Sequence, residues 1–350
     1  MVTANDRSPA RLLDDPANFL HAIDVDGGRA YFLRTDAERL REASFVDGRS
    51  PIATAAAEAP LAEVVASVEE PAEGTDRFLF NCSFCGSTQL SRLLDVPGRS
   101  LVLKEPRCLT DIAAWKIFNT RDGLSTKCLQ PLLKLARTAL RRPFAPGEAV
   151  TVKVASQGNV LADALVEDAA RARPMFITIG RMDFLRAIFR GGVDRMHYAA
   201  RIAWHLATDV PDGDIWLKEA VKAGGDPLRK AANLAILARA FQIYEFQRAA
   251  KAGGWNEDHV IDYETIAQSP HEATVSAARA LDIGIDEADI ERNVARLAKR
   301  SAKQPGEPFS SERQRLVDNQ IHSEHGQVFA DSLAWAESAL GPQQSVVAPA

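Results

Sequence analysis

The stretch FLFNCSFCGSTQLSRLLD (residues 78–95) decides how the rest of the chain is interpreted. An apolar run ends in a short loop that holds two cysteines, a glycine and three hydroxyl residues, and an amphipathic run follows at once. Leu90, Leu93 and Leu94 have the i, i+3, i+4 spacing of a helix that packs on a sheet. The pattern therefore predicts a buried strand, a tight turn and a helix.

Composition and charge restrict the class of protein. The chain has 350 residues, of which 46% are hydrophobic and 25% charged, as is typical of soluble globular proteins. A net charge of -5 provides no overall basic field for nucleic acid or an anionic membrane. The first twenty residues lack the apolar core of a signal peptide, and no run of apolar residues has the length of a transmembrane helix. These features predict a cytoplasmic protein without nucleic-acid or membrane partners.

Strand and helix patterns alternate after residue 77, and the strand candidates are rich in apolar and β-branched residues. Strands are predicted at 78–81, 100–104, 149–155, 175–180 and 259–263. Helices are predicted at 87–95, 107–118, 126–142, 158–170, 182–190, 194–208, 228–252 and 270–281, and in most of the chain from about residue 286. This alternation indicates an α/β fold with a doubly wound, mostly parallel sheet flanked by helices. We expect an N-terminal α+β extension (1–76), the sheet domain with a helical C-terminal part (77–342) and a disordered tail (343–350).

The loop of the opening stretch allows three interpretations. A Walker A loop would need a glycine where Asn81 stands and a lysine where Ser87 stands. The N–H groups that open the helix still favour a phosphate, because they lack partners within the helix and lie at its positive end. Cys82 and Cys85 instead form a C-x-x-C pair, which suits redox or metal chemistry. A plain strand-to-helix turn with small buried cysteines is the third interpretation.

The loop together with SLVLKEP (100–106) resembles the bacterial sulfotransferase-like proteins of the P-loop superfamily. Members use, or are related to enzymes that use, 3′-phosphoadenosine 5′-phosphosulfate (PAPS), and a loop of the form [KR]-[ST]-G-[ST]-[ST] holds its 5′-phosphosulfate. The resemblance implies a cofactor-binding role for the residues that match or extend this loop: Cys85, Gly86, Ser87, Thr88 and Gln89. The basic residue of the family's loop falls on Phe84, so its charge is lost here.

Another residue must then supply the missing cation. Lys153, at the end of the third strand, is our first candidate, and Lys104 is the second. Glu105 stands where related sulfotransferases carry a glutamate that deprotonates the acceptor hydroxyl, so the resemblance implies that it is the general base. The alternative for all three is an ordinary charged residue beside a strand or helix end.

The segment MFITIGRMDFLRAIFRGG (175–192) resembles the strand-then-arginine element that binds the 3′-phosphate in this family. Arg181 falls on that arginine, whereas the family's serine eight residues later is Phe189 here. Arg186 and Arg190 have i, i+4 spacing and are candidates to supply charge instead, since an arginine fork suits phosphate. Solvated arginines on an amphipathic helix are the alternative.

Two further segments complete the resemblance. HVIDYETIAQSP (259–270) matches the Y-E-x-[LI]-x-x-x-P element, which implies that Tyr263 lies near the nucleotide. AKRSAKQPGEPF (298–309) is similar to a basic lid that closes on the cofactor, with Lys303 as a cofactor-binding candidate beside Lys299 and Arg300. Each motif alone is weak, and their order along the chain gives the resemblance its weight.

The resemblance implies a PAPS-dependent sulfotransferase that acts on a hydroxyl or amine of a small metabolite or carbohydrate, without a metal. Residues 77–342 would be its P-loop domain, and a homodimer is left open. A P-loop kinase or nucleotide hydrolase is one alternative, although it would need a lysine and a Mg²⁺ site. A non-catalytic member of the fold is the other, because the loop lacks its basic residue.

Overall fold

The computed structural model of the chain describes residues 9–69, 74–121, 129–297, 311–342 and 346. Lys303 and most of the predicted tail lie outside these residues, while Val346, which belongs to that tail, is buried. Within the described part of the chain, no helix combines the length and the apolar character needed to cross a lipid bilayer.

The N-terminal extension is a small antiparallel sheet with three short helices. Its elements are α1 (Pro9–Asp14), β1 (Asn18–Asp24), β2 (Arg29–Arg34), α2 (Ala37–Glu42), β3 (Ala55–Pro60) and α3 (Leu61–Ala66). The strand order is β1-β2-β3. The sequence does not signal β3, because its residues are AAAEAP and alanine is depleted in strands. Pairing with β2 along its whole length makes it a strand.

The main sheet has five parallel strands in the order β5-β6-β4-β7-β8. They are β4 (Asp76–Asn81), β5 (Ser100–Lys104), β6 (Ala149–Lys153), β7 (Ala172–Thr178) and β8 (Val260–Asp262). All five predicted strands are confirmed as strands. The predicted helix at 158–170 is wrong in part, because a 3₁₀ turn at 156–161 and a five-residue helix replace it. The next strand, β7, pairs with β4 from residue 172 onward.

Helices connect the strands and continue beyond the sheet. They are α4 (Ser87–Leu93), α5 (Arg107–Arg121), α6 (Leu129–Leu140), α7 (Ala162–Val166), α8 (Arg181–Arg190), α9 (Gly192–Leu206), α10 (Gly213–Gly224), α11 (Pro227–Gly253), α12 (Tyr263–Gln268), α13 (Pro270–Ala280), α14 (Glu287–Leu297) and α15 (Ser311–Leu340). Helix α4 packs with α12, α13 and α14, whereas α11 packs with α7, α8, α9 and α15. Right-handed crossovers explain why α4 is separated from the group around α11. The chain first runs from β4 to β5, at one edge of the sheet, and then returns across the sheet to β8 at the other edge, so its crossover helices change face.

The extension packs directly on the sheet domain, and both share one hydrophobic core. Strand β1 packs on α5 and α6, and α2 packs on β5. The guanidinium of Arg142, which follows α6, donates hydrogen bonds to the backbone carbonyls of Leu13, Asp15 and Asn18. At the other end of the sheet, the Val46 N–H donates to the carbonyl of Lys104, the last residue of β5, which places residues of the extension beside the carboxyl end of that strand.

Strand β4 lies at the centre of the sheet, between β6 and β7. The chain leaves β4 toward one edge and later crosses to the other, so β4 adjoins the switch point at which open α/β sheets bind ligands. The loops after β4, β5, β6 and β7 meet at this end of the sheet. The candidate site is therefore sought there.

Candidate functional site

The loop between β4 and α4 has an unusual backbone. Ser83, Phe84 and Gly86 have φ angles of 61°, 52° and 77°, so three of its residues are left-handed. The side chain of Asn81 organises the loop, because its Nδ2 donates to the Val154 carbonyl (2.8 Å) and its Oδ1 accepts from the Ser83 N–H (3.1 Å). Asn81 is thus a positioning residue for the turn.

Gly86 is required at the end of this loop for two reasons. Its positive φ is costly for a residue with a side chain, and an added Cβ would lie 3.2 Å from Ile266 Cγ2 and 3.4 Å from Tyr263 Cδ2. The close approach brings α12 onto the start of α4. Tyr263, predicted near the cofactor loop, is therefore in contact with it, as the first residue of α12 instead of the last residue of a strand.

Three of the predicted residues meet at a buried lysine. The Nζ atom of Lys153, at the end of β6, lies 2.6 Å from Glu105 Oε1 and 3.3 Å from Thr88 Oγ1. Lys153 is only 1% exposed, and Thr88 is buried on α4. The structure therefore joins α4, the predicted cation and the predicted base into one cluster at the carboxyl ends of β4, β5 and β6.

Glu105 is held by backbone and side-chain contacts. Its φ is 60°, a left-handed conformation that costs a residue other than glycine about 1–2 kcal/mol. Its N–H donates to the Lys153 carbonyl (2.8 Å), so Lys153 contacts both ends of the residue. The extension adds Arg49, whose guanidinium lies 3.6 Å from Glu105 Oε2 and stacks over the Phe45 ring at 4.2 Å. The glutamate side chain is 19% exposed, so a solvent-borne molecule can reach it.

Lys104, the second candidate for the missing cation, does not belong to this cluster. Its Nζ donates to the carbonyls of Leu40 and Arg41 in the extension, at 3.1 Å each. The side chain is completely buried, and burial lowers its pKa to about 7. Lys104 therefore ties α2 to β5, and the prediction of a ligand-binding role for it is wrong.

The redox interpretation of the C-x-x-C pair does not fit the environment of its thiols. Cys82 and Cys85 are free and fully buried. Burial raises the pKa of both thiols, whereas redox and metal chemistry require the thiolate. The two cysteines are better explained as small fillers beneath the loop.

An aromatic ring, that of Phe84, occupies the loop position for which the resemblance to sulfotransferase-like proteins predicts a basic residue. The Phe84 ring packs against Tyr198 in an edge-to-face arrangement with centroids 5.7 Å apart. The guanidinium of Arg195 lies 4.6 Å from the Phe84 centroid. A positive charge is therefore present beside the loop, although it comes from α9 and not from the loop itself. Arg195 was not among the predicted site residues, because one arginine on an amphipathic helix forms no recognisable motif.

A chain of hydroxyl groups lines the same side of the loop. Ser83 Oγ lies 2.5 Å from Ser156 Oγ and 3.3 Å from Tyr198 Oη. Burial raises the pKa of Tyr198, and the nearby Glu105 carboxylate acts in the same direction. Tyr198 was missed by the sequence analysis, since it reaches the loop from α9, which only the fold brings beside the loop.

The predicted phosphate-binding arginines have protein partners. Arg181, the first residue of α8, donates to the carbonyls of Gly341 and Pro342 at 3.0 and 3.2 Å. Arg186 pairs with Asp183 in its own helix, which favours the solvated-helix alternative. Arg190 contacts Asp318 of α15. The charge of these residues is thus used mainly to hold α15 and its end.

A further cation, Arg239 of α11, lies at the carboxyl end of β7. It is 3% exposed, and its Nε donates to the Ile179 carbonyl. Among the described residues, no carboxylate lies within ion-pair distance of its guanidinium. The helical pattern at 228–252 contained no indication that Arg239 would lie at this end of the sheet.

Comparison with known proteins found no match to the chain among protein-family models, curated proteins or solved structures. The chemistry of the cluster must therefore be argued from its own residues. A buried lysine, a carboxylate reachable from solvent and several hydroxyls at one sheet edge suit the binding of an anion beside a group that accepts a proton.

Proposed function

We propose that the protein transfers a sulfuryl group from PAPS to a hydroxyl or amine of a small metabolite or carbohydrate. The observation that carries this proposal is the contact of the buried Lys153 with both Thr88 and Glu105. Lys153, at the end of β6, would supply the cation that the loop lacks at Phe84. The loop residues Cys85, Gly86, Ser87, Thr88 and Gln89 would lie along the phosphosulfate of the donor.

The reaction would need no more than these groups. The acceptor oxygen or nitrogen forms a bond to sulfur while the bond from sulfur to the phosphate oxygen breaks. Glu105 takes the proton of the acceptor, and adenosine 3′,5′-bisphosphate leaves. Lys153 stabilises the negative charge on the sulfuryl and bridging oxygens, and a fixed charge in a buried site does so effectively. Ion pairing fixes the Glu105 carboxylate for this step.

One further observation favours a non-catalytic nucleotide-binding protein as the second candidate. Phe84 fills the position of the missing loop cation with an aromatic ring, and Lys153 is already neutralised by Glu105. A ligand would have to compete with that carboxylate for the lysine. Such a protein would bind the bisphosphate nucleotide without transferring a sulfuryl group.

The proposal is tested by titration calorimetry with adenosine 3′,5′-bisphosphate and, separately, with ATP and Mg²⁺. We expect saturable binding of the bisphosphate, weakened about tenfold or more in Lys153→Gln, because a charged hydrogen bond is lost. Lys222→Gln, at an exposed position of α10, is the matched control and should bind as the unmodified protein does. Circular dichroism verifies that each variant is folded.

Sulfuryl transfer is then measured with labelled PAPS and a panel of hydroxyl and amine acceptors. Glu105→Gln should retain the bisphosphate and lose transfer. Bisphosphate binding without transfer to any acceptor would favour the second candidate. Binding of ATP alone would move the protein to the kinase class, and binding of neither nucleotide would refute a nucleotide site in this loop.

A further inference from the structure

A polar crevice lies at the end of the sheet opposite the candidate site. It has a volume of about 240 Å³ and is bounded by α6 and the segment between α7 and β7. Its lining is unusually rich in charge: Gln130, Lys134, Arg137, Thr138, Arg141, Asp76, Glu167, Asp168 and Arg171. The residues from α6 follow a helical repeat, so one face of that helix forms a wall of the crevice.

The lining has more positive than negative groups, with four basic residues against three carboxylates. Each carboxylate already has a partner. Arg141 lies 3.3 Å from Asp76, Arg171 lies 3.7 Å from Asp168, and Gln130 donates to Glu167.

Lys134 and Arg137 differ from the other basic residues of the lining. No carboxylate of the described chain lies within ion-pair distance of either side chain. Both are half-buried and belong to the same face of α6. They are therefore the two basic side chains of the crevice that form no ion pair with a carboxylate of the described residues.

Asp76 is engaged with Arg141, whose Nη1 donates to Asp76 Oδ1 at 3.3 Å. Burial raises the pKa of the Asp76 carboxyl group, although Arg141, Arg137 and Arg171 all act against that rise. The basic groups of the lining without an ion-pair partner among the described residues are thus Arg137 and Lys134.

We propose that this crevice binds the phosphate group of a small phosphomonoester. Arginine forks and a lysine are the groups that bind phosphate oxygens, the arginines in pairs of parallel hydrogen bonds. The volume exceeds what a single phosphate needs and is below that of a pocket for a drug-sized molecule. The amide oxygen of Gln130 and the hydroxyl of Thr138 lie on the same wall and can bind hydroxyl groups of the ester.

This site is independent of the proposed function. Asp76 begins β4, whereas the phosphate loop follows its end, and six residues of strand separate them by about 20 Å. One ligand of this size cannot contact both. Substitutions at one end can therefore be used as controls for the other.

The test is titration calorimetry at low salt with three probes: glycerol 3-phosphate, inorganic phosphate and glycerol. We expect saturable binding of glycerol 3-phosphate, weaker binding of inorganic phosphate and none of glycerol. Arg137→Gln and Lys134→Gln should each weaken the ester about tenfold or more, because each removes one charged hydrogen bond. Arg279→Gln, at an exposed position of α13, and Lys153→Gln, at the carboxyl end of β6, should leave the affinity for the ester unchanged.

The outcomes separate cleanly. Absence of saturable binding up to tens of millimolar, or equal affinity in Arg137→Gln and Arg279→Gln, would overturn the site. Equal affinity for inorganic phosphate and the ester would overturn the assignment of an ester. A loss of binding in Lys153→Gln with none in Arg137→Gln would show that the probe had occupied the candidate nucleotide site instead.

Discussion

Glycine in place of Glu105 separates two opposing contributions of this residue to stability. The left-handed backbone of Glu105 is strained, so Glu105→Gly relieves about 1–2 kcal/mol. The same change removes the carboxylate from Lys153, which is 1% exposed. Breaking a buried pair by deleting one partner costs roughly 3–5 kcal/mol, because the other charge stays buried. We therefore expect a net loss of roughly 1–4 kcal/mol in the free energy of unfolding.

The measurement is urea unfolding at pH 7, followed by circular dichroism. Glu105→Ala is the matched variant, since it removes the carboxylate but keeps the strain, and it should be about 1–2 kcal/mol less stable than Glu105→Gly. Adding Lys153→Met to Glu105→Gly removes both charges and should recover most of the loss. Both Glu105 variants should lack sulfuryl transfer. A Glu105→Gly protein as stable as the unmodified chain would refute the argument that Glu105 neutralises a buried Lys153.

Three further predictions follow from other parts of the fold. Burial raises the pKa of Glu245 to about 8, so its contribution to stability is present below its ordinary pKa of 4.5 and is lost as the pH rises through 8. Between pH 5 and pH 9, the free energy of unfolding of Glu245→Gln should therefore rise relative to that of the unmodified protein. Parallel pH profiles of the two free energies would contradict this. Gly86→Ala should cost more stability than Gly98→Ala in urea unfolding, because both glycines have a positive φ but only Gly86 has a close neighbour; equal losses would rule out the close approach of α12. Arg142→Ala should cost roughly 2–4 kcal/mol because it removes the side-chain hydrogen bonds to the extension, and it should speed amide hydrogen exchange in residues 13–18. Unchanged exchange there would show that other contacts hold the extension.

The positions of the main strands were predictable, since each is a short apolar run between turn residues. Elements with weak local signals were missed or displaced. Strand β3 is alanine-rich and is extended because it pairs with β2. The segment of the 3₁₀ turn before α7 has an apolar spacing that predicts a longer helix. In both cases a tertiary partner overrides local propensity.

The candidate site was predictable only in the residues that follow strands directly. Glu105 and Lys153 were found because parallel strands place their carboxyl ends at one edge. Arg49, Arg195 and Tyr198 were not found, since they reach the site from the extension and from α9. The spacing of residues within one segment does not indicate which distant segments will contact the site.

The sequence by itself determined the strand–helix alternation, the turn at Gly86 and the grouping of charged residues at strand ends, because these depend on local periodicity and backbone sterics. The partners of those charges depend on the tertiary structure. Lys104 and Lys153 both end a strand, yet one binds carbonyls of the extension and the other binds Glu105 and Thr88. The physical reason is that a buried charge must find a partner, and the partner is supplied by whichever distant segment packs beside it.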